Sequence, residues 1–196
     1  MTRRDIMHAF EELPYFAQAL VAIRMVRRAV LGKYEQGDAE RQRVCDILDI
    51  AERCCAAGNI HPHKPLLKEL MSLRDLYDAR RSERADIRLA LWWASDAVLA
   101  ADASQDFAID GTCPRSARSA IATLGEDREL NRVQISILLA SDVDQMLFAC
   151  GEVGKLPSKN IAARYEGVGS HVLGRLAPVH ALTVEQYVPS GEDAAR

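Results

Sequence analysis

The sequence predicts an all-α fold, an antiparallel bundle of about six to seven helices. Three observations carry that reading. Apolar residues recur at intervals of three and four through most of the chain, and no alternating run competes for a strand. Aromatic residues make up only 6% of the composition, so Ala, Leu, Val and Ile carry the apolar side. Small apolar residues of this kind suit helix-on-helix packing. Finally, Gly and Pro fall between the periodic segments, where they cap and separate helices.

The first helical region covers Thr2 to about Leu31, with Thr2 and Asp5 at capping-box spacing. Pro14 requires a break near Leu13 and a fresh helix with the proline in its first turn. Leu13, Phe16, Leu20, Ile23, Val26 or Arg27, and Val30 share one face of that helix. Arg24, Arg27 and Arg28 form a basic edge beside it, and Gly32-Lys33 is the expected stop. A second helix opens near Asp38 after Gly37 and places Val44, Ile47, Leu48, Ala51, Cys54 and Cys55 inward. Gly58 and Asn59 tolerate the left-handed conformation of a C-terminal cap.

Ile60 to Pro65 is a stiff turn, and a third helix starts at Pro65 and runs to about Arg81. The fourth, from Ser82 to about Ser104, is apolar around so much of its circumference that it is expected at the bundle centre. A short fifth helix runs from Pro114 to Gly125. The sixth spans about Glu126 to Cys150, with Val133, Ile137, Ala140, Asp144 and Leu147 in line and Gly151 as its cap. Ser158 opens a seventh carrying Ile161, Tyr165, Val168, Val172 and Leu176. It ends at Pro178 and is weakened by Gly167, Gly169 and Gly174. Thr183 and Gln186 form a capping box for one last turn. Residues 1–188 read as a single domain and 189–196 as a disordered tail. Arg43 through Ala51 can be laid on Arg132 through Ala140, as two related helical hairpins would allow.

The 48% hydrophobic and 27% charged content is that of a globular chain. The net charge of −3 divides into +1 over residues 1–100 and −4 over 101–196, which disfavours nucleic acid as a partner. The opening residues hold no apolar leader, and Leu89 to Ala101 is too short to span a bilayer. A cytoplasmic protein with no membrane partner is expected. Five cysteines (Cys45, Cys54, Cys55, Cys113, Cys150), three of them on one helix, read as reduced thiols.

Ala-Ser-Asp occurs twice within apolar helices, at Ala94-Ser95-Asp96 and Ala140-Ser141-Asp142. A carboxylate in a helical core needs a cation or several donors, and Arg24, Arg27, Arg28 and Arg88 are the candidate partners. One reading is a polar binding site between helices; the preferred one is a buried ion pair. Trp92-Trp93 places one ring inward and one toward a neighbour or the surface, where it would mark a binding hot spot. His61-Pro62-His63 lacks the geometry of a helical metal pair, and no Cys-x-x-Cys supports it. Vicinal Cys54-Cys55 reads as packing plus one exposed thiol rather than redox chemistry. Gly167 to Gly174 follows no strand and lacks phosphate-loop spacing, so close helix packing or a bent helix is expected there. Ser170 and His171 imply no catalytic triad.

The run Arg88-Leu-Ala-Leu-Trp-Trp-Ala94, then Asp96-Ala-Val-Leu99, Pro114-Arg115-x-Ala117, Ala120-Ile121 and Gly125-Glu126, resembles the helical immunity proteins of bacterial polymorphic toxin systems. In those proteins a Leu-Ala-x-Trp-Ala helix precedes a Pro-Arg-x-Ala-Ile helix. The likeness covers about a fifth of the chain and its motifs are alanine-rich. It implies a cytoplasmic helical protein that binds and blocks a toxin and has no chemistry of its own. Three functions therefore stand. The first is a non-catalytic protein binder, immunity-like, with no cofactor and with room for a homo-oligomer. The second is a bundle holding a small ligand or metal near Asp96, Asp142, Arg24 and Arg28. The third, an enzyme using a carboxylate with His171 or His63, is least favoured because no geometry points to it.

Overall fold

A computed structural model of the protein describes residues 3–33, 35–58, 72, 132–154 and 166–179. These residues form helices α1 (Arg3–Glu11), α2 (Tyr15–Lys33), α3 (Ala39–Ala57), α4 (Arg132–Glu152) and the short α5 (Ser170–Leu173), with no strand among them. The third helix, except for Ser72, and the fourth and fifth expected from the sequence lie outside the described residues. So do Asp96, Trp92, Trp93, Arg88, His61, His63, Cys113 and the 189–196 tail. No helix among the described residues is long and apolar enough to cross a membrane.

Proline sets the first corner. α1 ends at Glu11 and α2 begins at Tyr15, and the Gln18 N–H donates to the Pro14 carbonyl at 3.0 Å. Pro14 therefore caps the new helix, where its missing N–H costs nothing. The Gln18 side chain turns back and donates to the Glu11 and Leu13 carbonyls at 3.2 and 3.0 Å. It thereby supplies partners that the last turn of α1 lacks within its own helix.

α2 is the central helix of the described core. It packs against both α3 and α4, while α1 packs on α4 and α5 on α3 and α4. Phe16, Leu20, Ile23, Val26 and Val30 are buried as their spacing predicts, but so are Ala17, Ala19, Val21, Ala22 and Met25 on the remaining sides. The three arginines do not form a solvated edge. Arg24 and Arg28 are buried and Arg27 is half-buried, because neighbouring helices close over them.

Gly37, at φ +94°, turns the chain into α3, and the Arg41 N–H approaches the Asp38 side chain at 3.4 Å in an N-cap arrangement. Val44, Leu48, Ala51, Cys54 and Cys55 face the core; both vicinal thiols are buried, which corrects the expectation of one exposed. Gly58 adopts φ +66° and donates its N–H to the Cys54 carbonyl at 2.9 Å, the left-handed cap expected. Cys45, Cys54, Cys55 and Cys150 are all reduced thiols.

α4 corrects the sequence reading twice. It runs through Gly151 to Glu152, and the positive-φ glycine of the following turn is Gly154, whose N–H donates to the Gly151 carbonyl. Its buried stripe is Ile135, Leu139, Asp142, Val143, Met146, Ala149 and Cys150, not the expected line through Ile137 and Asp144. Ile137, Asp144 and Phe148 are exposed. The two stripes differ by two residues, or about 200° of helical rotation.

The seventh helix is also corrected. Residues 166–169 are not helical, and within 166–179 only Ser170–Leu173 forms a helical turn; the expected stretch 158–165 lies outside the described residues. Gly169 at φ +89° leaves helical space at little cost. The Val168 and Gly169 N–H groups instead donate to the Cys55 and Ala56 carbonyls at 3.2 and 2.8 Å, satisfying the end of α3. This docking demands contact between backbones. A Cβ placed on Gly167 would lie 2.3 Å from the Gly58 nitrogen, and one on Gly58 would lie 2.3 Å from the Gly167 nitrogen. Close packing at the glycines, one of the two expectations for this stretch, thus occurs between backbones at the end of α3.

Candidate functional site

Asp142 is fully buried at the centre of α4, an expensive position for a carboxylate unless it is paired. Helical periodicity brings Arg24 and Arg28, one turn apart on α2, to the same side of that helix. The Arg28 Nε and Nη2 donate to Asp142 Oδ2 and Oδ1 at 3.3 and 2.7 Å, the side-on bidentate geometry of a planar guanidinium. The Arg24 Nε donates to Oδ1 at 3.0 Å, and its Nη2 also stands 3.0 Å from that oxygen.

Arg24 reaches further. Its Nη2 donates to the Ala177 carbonyl at 2.9 Å, and the Ala177 N–H donates to the Gln145 side-chain oxygen at 3.2 Å. The Gln145 amide in turn donates to Ser141 Oγ at 3.1 Å. Arg175 and Glu152 form an ion pair nearby in the chain. Residues 167–179 are therefore held to α3 by backbone contacts before α5 and to α2 and α4 by polar contacts after it, a strap across these three helices.

Arg27 serves a second set of carboxylates. Its Nε and Nη2 donate to Glu52 Oε1 at 3.1 and 3.0 Å, and Nη2 donates to Asp49 Oδ1 at 2.7 Å. Burial pulls the Arg27 pKa down, but Glu52 and Asp49 outweigh it and the group stands above its ordinary value. Three arginines of one helix thus meet three carboxylates of its two neighbours. The Asp142 cluster carries one excess positive charge, and the Arg27 cluster one excess negative charge. Side by side they balance.

A half-open cleft of about 240 Å³ lies between α2, α3 and the strap, bordered by both arginine clusters and by Leu20, Leu173 and Leu176. Sequence reasoning did not find it, because its apolar wall comes from a stretch whose path depends on backbone docking. Of the candidate site residues, the structure brings together Arg24, Arg28 and Asp142. Their ion pairs, among the described residues, are with one another, which fits the preferred ion-pair reading, and Arg27 belongs to a different set. Asp96, Trp92 and Trp93 lie outside the described residues. Ser170 and His171 are exposed at the start of α5, and His8 pairs on the surface with Glu12 at 3.5 Å. Among the described residues no three His, Cys, Asp or Glu side chains converge to hold a metal ion.

Cys45 lies near this network on α3, half-buried. Burial raises its thiol pKa; Arg27 and Arg41 act against that, and Asp49 and Asp46 reinforce it. The thiolate is the nucleophile, so Cys45 is expected to alkylate more slowly with iodoacetamide at neutral pH than an unhindered cysteine peptide. Mass-spectrometric labelling rates check this, and labelling as fast as the peptide would contradict it.

No family model, curated protein or solved structure matches this chain.

Proposed function

We propose that the protein is a non-catalytic binding protein, an antiparallel bundle of about six or seven helices that recognises another protein through an outer helix face. The single observation carrying this reading is Phe148, a large apolar side chain 68% exposed on α4. Ile137 is 39% exposed three turns earlier, nearly in line with it. A phenylalanine left largely in water within an otherwise well-buried helix fits a recognition role, since aromatic anchors dominate interface energetics. Asp144 and Ser141 lie exposed between the two, so the face is apolar with an acidic edge and suits a partner with a basic rim.

The resemblance to toxin-system immunity proteins makes a toxin the natural partner, blocked by occlusion without chemistry. The burial of Asp142 against two arginines supports the same reading, because it commits that carboxylate to the scaffold. The outward ring expected of Trp92-Trp93 would serve the same kind of recognition, and a homo-oligomer is compatible with it.

Capture of the full chain from its native cell, followed by reconstitution with the purified partner, tests the proposal. A stoichiometric complex is expected. Phe148→Ser should weaken it by at least 2 kcal/mol, about the threshold of a hot spot, while leaving the melting temperature unchanged. Complex formation indifferent to that substitution would remove the α4 face from recognition. If the partner is a toxin, the parent protein and not the variant should neutralise it.

A further inference from the structure

We propose that the cleft between α2, α3 and the strap binds a small monocarboxylate with a short apolar body. The inference is independent of the protein partner proposed above. Arg24 and Arg27, at i and i+3 on α2, both border this cleft. Each spends its Nε and Nη2 on carboxylates or on the Ala177 carbonyl, and among the described residues the Nη1 amino group of neither has an acceptor. The Arg24 side chain is 6% exposed and that of Arg27 12%, and the cleft is the opening that both border. Buried donors are costly to leave unmade, and a carboxylate presents two acceptor oxygens at the spacing that guanidinium groups match.

Charge selects among anions. The two clusters together are neutral, with three guanidinium groups against three carboxylates, and Glu52 and Asp49 both border the cleft. A single negative charge at the Arg24 end faces the excess positive charge of the Asp142 cluster. A phosphate dianion would add a second negative charge close to Asp49 and Glu52. Leu20, Leu173, Leu176 and Pro178 supply an apolar wall for the rest of the ligand. The volume of about 240 Å³ is below that of a drug-sized pocket and above that of a cavity taking one benzene ring. A short-chain acid fits that space.

Nitrogen-15 NMR titration of the full chain with hexanoate, hexylamine and inorganic phosphate tests the site. Hexanoate should give saturable shifts in the Arg24 and Arg27 Nε–H signals and in the amides of residues 173–177 and 179. Hexylamine and phosphate should bind at least roughly tenfold more weakly, the loss of about one charge-assisted hydrogen bond. Leu176→Trp, which places an indole in the cleft, should abolish the hexanoate response while the protein keeps its helical circular dichroism. No saturable shift with hexanoate, equal binding of the amine or of phosphate, or a response that survives in folded Leu176→Trp would overturn the proposal. Should that variant fail to fold, the comparison of the three probes on the parent protein decides alone.

Discussion

Asp142→Ala is expected to destabilise the protein by about 3–5 kcal/mol, the range for removing one partner of a buried ion pair. The loss is not that of the attraction alone. It leaves two buried guanidinium groups, Arg24 and Arg28, without the carboxylate that took four of their contacts. For a domain of this size the melting midpoint should fall by roughly 6–20 °C. Denaturant titration followed by circular dichroism measures it. A change within about 0.5 kcal/mol, the scale of a neutral surface substitution, would show that Asp142 does not anchor α4 to α2. Ser141→Ala next to it, exposed and bonded only to Gln145 among the described residues, should fall inside that neutral range.

Gly167→Ala should cost about 1–3 kcal/mol, the penalty for forcing an extra carbon into a packed site. Here no rotamer can relieve the clash. The new Cβ would meet the Gly58 nitrogen at 2.3 Å and the Ala56 carbonyl oxygen at 2.6 Å, both backbone atoms of the α3 end. Relief requires the strap to lift, which would break the Val168 and Gly169 bonds to the Cys55 and Ala56 carbonyls. Hydrogen exchange at those two amides should accelerate more than at the α2 core. Gly174→Ala is the control, because its Cβ would meet nothing closer than 3.5 Å. Equal effects of the two substitutions would contradict the backbone-contact account.

These two sites mark how far the sequence could be read. The break at Pro14, the turn at Gly37 and the cap at Gly58 were legible because each follows from local dihedral chemistry. The pairing of a buried aspartate with arginines of α2 was legible as well, since an apolar helix containing Asp142 requires a cation and that helix supplies three. The face of α4 was misread for the same reason in reverse. Its core stripe has a charged residue at its centre, and the opposite side carries Ile137 and Phe148, so apolar periodicity pointed the wrong way. Asp142 and Asp144 stand about 200° apart on the helix, so only one of them can belong to the core stripe. The strap was not legible at all. Its path is fixed by two glycines more than a hundred residues apart in sequence meeting backbone to backbone, and no local pattern encodes that.

In the proposed reading the Arg24–Asp142–Arg28 cluster is scaffold and recognition belongs to the outer face of α4. Unfolding of the triple variant Arg24→Met, Arg28→Met, Asp142→Leu, compared with Asp142→Ala, tests it most directly. Replacing a whole buried ion cluster by apolar residues removes the desolvation cost together with the attraction, and is often neutral or stabilising. Ala177 is exposed, so water can replace Arg24 at its carbonyl. The triple variant should fold cooperatively within about 1 kcal/mol of the parent, well above Asp142→Ala, and still form the Phe148-dependent complex. A triple variant that folds but no longer binds the partner would contradict that reading and make the charged cluster part of the site.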